Sequence, residues 1–404
     1  MWGKLICTSK NCNDIPLQED TIVIGRNNSL MQCKDTRISR NHCQIKKKII
    51  DQQIEYHLIV HKETYVNNLK REEKTETFIF PFDEITLLNP RNNYSISYCF
   101  IPIEYYEESG HWNECQLLKN YSIGSFLGCG SFATVRKIID KLSNETFAVK
   151  IVKKETCKRR EINFKREVDI FKTLRHPNII ECKDVFEDDK HVFIVMELMK
   201  GCDLFHFLYD GEKGIGFLDE RKTQKIMKQI FSALHYLHSN GICHRDIKIE
   251  NVLISPEKFY SNEDNYIKLT DFGLGKQMNE SSMTQTIIGK DSYKAPELFT
   301  TQMNKEYDPF KCDVWSCGVM MYVILVGDFP FDNQSNKFEF IENEKYYLLS
   351  DECIDLLNHI FIIDPKKRYS IDDCLQHEFI SRKRSSHYQS FDESESIDSS
   401  DFIL

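Results

Sequence analysis

Two hydrophobic rhythms divide this chain. Over roughly the first hundred residues, apolar side chains come in short runs of β character: Thr21-Ile22-Val23-Ile24, Cys43-Gln44-Ile45, Tyr56-His57-Leu58-Ile59-Val60, Thr64-Tyr65-Val66, Glu84-Ile85-Thr86-Leu87-Leu88 and Tyr94 to Ile101. Asn, Asp, Pro and Lys break them, and regular short strands punctuated in this way predict an all-β sandwich. Further on the pattern changes. Phe147-Ala148-Val149-Lys150 and Val192-Phe193-Ile194-Val195 read as strands, whereas Phe164, Val168 and Phe171 recur at helical spacing. The longest apolar run, Val319 to Val326, is far short of a membrane span and predicts a core helix.

Composition adjusts this picture modestly. A chain of 404 residues is too long for one comfortable core, and 41% hydrophobic content supplies two. The net charge of −9 argues against general nucleic-acid affinity. Fifteen cysteines are scattered through predicted strands and helices, with no Cys-x-x-Cys pair and no signal-peptide pattern ahead of them. Reduced thiols are expected, with zinc as the alternative.

The segment His244-Arg245-Asp246-Ile247-Lys248-Ile249-Glu250-Asn251, with Asp271-Phe272-Gly273 following, places a base and two metal ligands at the spacing of phosphoryl transfer. In that chemistry the protein mainly positions groups and stabilises charge. Asp246 would orient the substrate hydroxyl, Asn251 and Asp271 would hold Mg²⁺ on the phosphates, and Lys248 would reach the transferred group. The set resembles the protein kinase superfamily, over residues 121–380.

That resemblance implies a bilobal α+β fold and an ATP site. Leu127-Gly128-Cys129-Gly130-Ser131-Phe132-Ala133-Thr134-Val135 would close backbone N–H groups over the phosphates, Lys150 would pair with them, and Glu167 would pair with Lys150. Ala148, the gatekeeper Met196, Glu197, Met199, Asp203 and Leu253 complete the expected nucleotide site. Ala295-Pro296-Glu297 closes the activation segment, and Arg368 is expected to pair with Glu297. Asp203 and Glu250 stand where basophilic kinases receive an Arg three residues before the target, so Arg-x-x-Ser/Thr substrates are expected. Thr286, or Thr284, is positioned for an activating phosphate.

In the first hundred residues, Ile24-Gly25-Arg26, Ser39-Arg40-Asn41-His42 and Thr64-Tyr65-Val66-Asn67 resemble the signatures of the forkhead-associated (FHA) domain, which binds phosphothreonine peptides. The resemblance implies a phosphopeptide site formed by Arg26, Ser39, Arg40, Lys62 and Asn67. Arg26 offers a fork of donors, Ser39 a hydroxyl, and Arg40 a second charge. His42 is expected to hold the loop in shape. The family's Asn-Gly pair falls on Lys62-Glu63, so an amide that donates and accepts becomes a charge that only donates.

An FHA sandwich at 1–104, a linker at 105–120, a kinase domain at 121–380 and an acidic, Ser-rich disordered tail at 381–404 together resemble the checkpoint effector kinases of the checkpoint kinase 2 type and their meiotic relatives. The expected partners are protein substrates, phosphothreonine proteins and a transient second copy, with neither nucleic acid nor membrane. No Ser-Gln/Thr-Gln cluster precedes the sandwich, which favours the meiotic branch. Arg382-Lys383-Arg384 reads either as a nuclear signal or as a solvated helix end. Lys290 replaces the usual Thr of the segment and would either mask Asp246 or point to solvent. A phosphopeptide-binding scaffold with a weakened kinase is the alternative.

Overall fold

The computed structural model describes residues 1–9, 12–28, 31, 33, 35–50, 53–90, 95–102, 115–129, 133–154, 164–188, 190–210, 214–271, 292–300, 307–332, 339–341 and 343–382. Contacts group them into two units, Met1–Phe207 with His244–Lys290, and Leu208–Cys243 with Asp291–Leu404.

The first unit begins with strands β1 (Gly3–Cys7), β2 (Ile15–Leu17), β3 (Thr21–Ile24), β4 (Cys43–Ile50), β5 (Gln53–Val60), β6 (Thr64–Val66), β7 (Leu69–Arg71), β8 (Glu76–Phe78), β9 (Glu84–Leu87) and β10 (Ile96–Pro102). They form two antiparallel sheets, β2-β1-β10-β9-β6-β7 and β3-β4-β5-β8. Period-two alternation sends Leu5, Ile15, Ile45, Leu58, Ile85 and Phe100 into one core. The β6–β7 connection is a two-residue turn with Asn67 and Asn68 at φ 50° and 63°, conformations that Asn tolerates. β10, like the adjacent β9, is buried on both faces. Tyr98 and Phe100 face the sandwich core, while Cys99 and Ile101 join a second cluster.

That second cluster belongs to the next sheet, β11 (Tyr121–Cys129), β12 (Ala133–Asp140), β13 (Thr146–Lys153), β14 (Cys182–Glu187) and β15 (His191–Glu197), in the order β11-β12-β13-β15-β14. The stretch expected as a polar linker ends differently from that expectation. Gln116–Asn120 is a helix whose Leu117 and Leu118 are buried in the shared cluster, because an adjacent apolar pair gains more from burial than from solvent. Residues 103–114 lie outside the described residues.

A small sheet of Cys202–Asp203, Val252–Ile254 and Ile267–Leu269 completes the unit. Gly201 makes its first strand possible: φ is +148°, and a Cβ there would sit 2.0 Å from the Ile254 carbonyl oxygen.

The second unit is mainly helical. Helix Glu220–Ser239 starts at Asp219, whose carboxylate accepts from the Lys222 N–H. Helix Pro309–Val326 is capped by Asp308 and has Pro at its first position. Its length and mean hydropathy of 1.4 would suffice to cross a membrane, yet it is mostly buried and packs on Glu220–Ser239 and Asp351–Ile360 as a core helix. Arg368, fully buried, meets Glu297 in a bidentate pair at 2.7 and 2.9 Å and lies over Trp315.

Candidate active site

Strand register sets out one side of the site. Gly128 stands opposite Val135, Val135 opposite Lys150, and Ala148 opposite Met196, so these residues occupy neighbouring rungs of one sheet. Ala148 and Met196 are buried, and Leu127 is exposed. Gly130 lies outside the described residues. Glu197 is committed to the scaffold, its carboxylate accepting from Lys268 Nζ at 2.7 Å and from the Glu181 N–H at 2.8 Å. Met199, just beyond, is half-buried.

The other side comes from the loop His244–Asn251 and the end of strand Ile267–Leu269. Buried His244 donates from Nε2 to the Thr270 carbonyl at 3.0 Å and accepts the Asp246 N–H on Nδ1 at 3.3 Å, which ties the two segments together. Asn251 donates from Nδ2 to the Asp246 carbonyl and carboxylate at 2.7 and 2.9 Å. Lys248 Nζ lies 3.3 Å from Asp246 Oδ2, and Lys150 Nζ 2.6 Å from Asp271 Oδ1. Arg245 and Asp271 hold φ of 64° and 60°, left-handed conformations of the kind that persist where surrounding contacts over-determine them. Asp246, Lys248, Asn251, Asp271 and Lys150 are thus gathered from three segments.

The donor set suits a divalent cation beside phosphates. Both Asn251 amide bonds run to Asp246, which leaves its carbonyl oxygen as the atom to offer a metal. Loss of water would raise the Asp271 carboxyl, but the charge and hydrogen bond of Lys150 outweigh it and hold Asp271 below the usual carboxylate range. Glu167 falls in helix Phe164–Thr173 with its side chain outside the described part, so the expected Lys150–Glu167 pair is not described. Thr284, Thr286 and Lys290 also lie outside the described residues.

Of the two carboxylates expected to meet a substrate Arg, Asp203 caps the following turn. It accepts from the His206 N–H at 2.8 Å and contacts His206 Nδ1 at 2.7 Å. It also pairs in register with Leu253. Glu250 behaves differently: burial pushes its carboxyl up, Asp246 and Asp203 adding to the effect, and its Oε2 has no hydrogen-bond partner among the described residues.

At one end of the sandwich, Gly25 carries φ +157°, and a Cβ there would meet the Ser39 and Arg40 carbonyls at 2.6 and 2.5 Å. Their approach brings Arg26, Ser39 and Arg40 together, with the Arg26 N–H donating to the Ser39 carbonyl and Arg26 Nε to that of Ile38. His42 accepts the Ser39 N–H on Nδ1 and donates from Nε2 to the Glu63 carbonyl at 2.7 Å. Its burial holds it below its ordinary pKa, in keeping with a neutral ring. The Lys62 N–H donates to the His42 carbonyl, so Lys62 joins this end, its ammonium 3.6 Å from Glu73.

Asn67 does not join this cluster. It follows the far end of β6, and its amide donates to Asp83 Oδ1 and accepts the Glu84 N–H, both at 2.8 Å. Because β6 separates it from Lys62-Glu63, the side chain is spent on the sandwich's own framework.

Asn178, within the family-like stretch His176-Pro177-Asn178-Ile179-Ile180, was given no site role by the sequence. It donates to the Ile267 carbonyl and accepts the Leu269 N–H, fixing the strand that leads to Asp271. The buried Ile179-Ile180 beside it was the available signal.

Residues 121–380 match the protein kinase domain family, and the chain belongs to that family. Beyond the kinase domain, its similarity extends to forkhead-associated kinases and to cds1 of the checkpoint kinase 2 type. The chain is 32% identical over 396 residues to "Probable serine/threonine-protein kinase fhkE" of Dictyostelium discoideum, covering 93% of this chain and 54% of that one. With serine/threonine-protein kinase cds1 of Schizosaccharomyces pombe it shares 33% identity over 335 residues, 78% of this chain and 70% of the relative. The crystal structure of Rad53 1-466 in complex with AMP-PNP superposes with a TM-score of 0.54 at 28% identity, covering 94% of this chain and all of that one. The chain therefore spans about half the length of fhkE, and its fold is an FHA sandwich followed by a protein kinase domain.

Proposed function

We propose that this chain is an ATP-dependent serine/threonine protein kinase of checkpoint type, directed to its partners by phosphothreonine recognition. The observation that carries the reading is the pairing of Lys150 with Asp271, and of Asn251 and Lys248 with Asp246, on two segments that His244 ties together. Asp246 orients the substrate hydroxyl and takes its proton as that oxygen bonds the γ-phosphorus and the bond to the β–γ bridging oxygen breaks, releasing ADP. Lys150 and Lys248 hold phosphate oxygens and offset the charge that spreads over them. Asn251 and Asp271 hold Mg²⁺, which when bound neutralises charge on the phosphates. Glu167 pairs with Lys150 in the active arrangement.

The AMP-PNP complex of Rad53 supports the choice of nucleotide. The open oxygen of Glu250 supports a preference for Arg three residues before the target, for which Asp203 would have to give up its contact with His206. Arg26, Ser39, Arg40 and Lys62 receive a phosphothreonine, which brings two copies together transiently so that one phosphorylates Thr286 or Thr284 of the other. A nuclear site of action fits this checkpoint reading.

Incubating the purified chain with labelled ATP, Mg²⁺ and an Arg-x-x-Ser peptide tests the activity; absence of transfer overturns it. Phosphothreonine-peptide binding that survives Arg26→Ala overturns the recognition role, and full activity in Thr284→Ala/Thr286→Ala removes the switch.

A further inference from the structure

The FHA sandwich reaches into the nucleotide hairpin. Where β11 runs up to Leu127 its pairing with β12 is irregular, shifting between Ile123 and Phe126 and again between Phe126 and Gly128. A bulge of this kind takes backbone groups out of the ladder, and buried ones need other partners. Arg136 Nη2 donates to the Gly124 carbonyl at 3.0 Å, and the Phe126 N–H donates to Glu84 Oε2 at 3.1 Å. The two side chains also pair with each other at 3.0 Å. Arg136 belongs to β12, but Glu84 opens β9 of the sandwich.

Glu84 is buried and held by several hydrogen bonds. It is only 5% exposed and Arg136 is fully buried. Thr8 Oγ1 donates to the same Glu84 oxygen at 3.2 Å, and the Glu84 N–H is fixed by Asn67. Arg136 Nη1 donates to the Phe82 carbonyl at 3.2 Å, and Phe82 holds φ 69°, a strained value for a bulky residue. The Phe82 ring packs edge-on against Phe193 and His191 at 5.4 and 5.6 Å. Cys99 and Ile101 of the sandwich share one core with Ile138, Val149 and Ile151 of the kinase sheet. Charge-assisted bonds between groups this deeply buried resist distortion of the hairpin.

We infer that Glu84 is a positioning residue for the nucleotide, acting through the Phe126 N–H and Arg136 to set the bulge that carries the glycine loop. The FHA sandwich is then a structural part of the ATP site as well as a recruiting module. This rests on the kinase reading above.

The test uses the full chain in three forms. Glu84→Ala removes the acceptor. Glu84→Gln keeps an oxygen for Phe126, and Glu84→Met/Arg136→Met removes both charges together so that neither is left buried alone. In Glu84→Ala and the double variant, hydrogen exchange across 121–129 should quicken, and KM for ATP should rise about tenfold or more, the scale of a lost charge-assisted hydrogen bond. KM for the peptide should stay within twofold, and Glu84→Gln should restore most of both losses. Unchanged exchange across 121–129 in a double variant that melts like the parent overturns the inference. So does a parental KM for ATP in that variant. Failure of the parent chain to transfer phosphate would strike the kinase reading instead, and the exchange measurement would still decide this one.

Discussion

Lys150 Nζ and Asp271 Oδ1 stand 2.6 Å apart although 121 residues separate them in sequence. The cation that would meet the phosphates and the carboxylate that would hold the metal are thus paired with each other. Lys150→Met leaves Asp271 without the charge that holds its pKa down, and Asp271→Ala leaves Lys150 without its partner. Either substitution should lower kcat/KM by at least about 10²-fold, since electrostatic stabilisation is the largest catalytic contribution in such sites. Initial rates with circular dichroism as the fold control check it, and parental turnover by either variant refutes the roles.

Glu250 carries the second prediction. Its half-buried carboxyl, raised by desolvation and by neighbouring Asp246 and Asp203, is poised to gain from an incoming guanidinium. Glu250→Gln should reduce the preference for an Arg-x-x-Ser peptide over Ala-x-x-Ser by about tenfold, the scale of a charged hydrogen bond. Rates on the basic-free peptide should barely move. Equal losses on both peptides would mean that Glu250 supports the loop and does not read the substrate.

The third concerns pH and the sandwich. Burial holds His42 below its ordinary value of 6.5, while its Nδ1 accepts the Ser39 N–H, a role that a protonated ring cannot fill. The unfolded chain therefore binds the proton more readily than the folded one. Stability tied to His42 is complete above 6.5 and is lost as pH falls through that value toward the lower folded pKa. Denaturant midpoints measured at neutral and mildly acidic pH should fall on acidification, and His42→Asn should flatten the change. An unaltered slope in that variant would assign the pH response elsewhere.

A fourth rests on Arg368 and Glu297. Arg368 is fully buried and also donates to the carbonyls of Ile362 and Lys311, so its removal strips several groups at once. Arg368→Met should cost about 3–5 kcal/mol, the usual result of leaving half of a buried ion pair. Urea unfolding of the full chain measures it. A loss below about 1 kcal/mol would mean that water replaces the guanidinium.

Short-range spacing made the catalytic loop legible, because Asp246 and Asn251 meet within one turn of chain. The Glu297–Arg368 pair was also readable from flanking motifs. β10 carried its double burial openly, with Tyr98 and Phe100 alternating with Cys99 and Ile101. What escaped were partnerships whose two halves give no local sign. Glu84 looks like the polar start of an ordinary strand, and only the placement of Arg136 on the same strand face as Ile138 hinted at burial. Asn67 fitted its motif, but strand length put it at the wrong end of β6. Asp203 was taken by His206, three residues on, a contact that competes with any ligand. Leu117-Leu118 was masked by its polar surroundings.

Helix Gln116–Asn120 and the cluster that it joins bear on how such a chain could be inherited in pieces. The family boundary at residue 121 runs through a core to which Leu117, Leu118 and Ile101 contribute from one side and Ile138, Val149 and Phe193 from the other. Recombination at that boundary would transplant a kinase with an open apolar face and a guanidinium lacking its anion. Cutting this chain at residue 121 is therefore expected to disturb its kinase sheet, because Arg136 and Phe193 lie inside the family boundary while their partners Glu84 and Phe82 lie outside it.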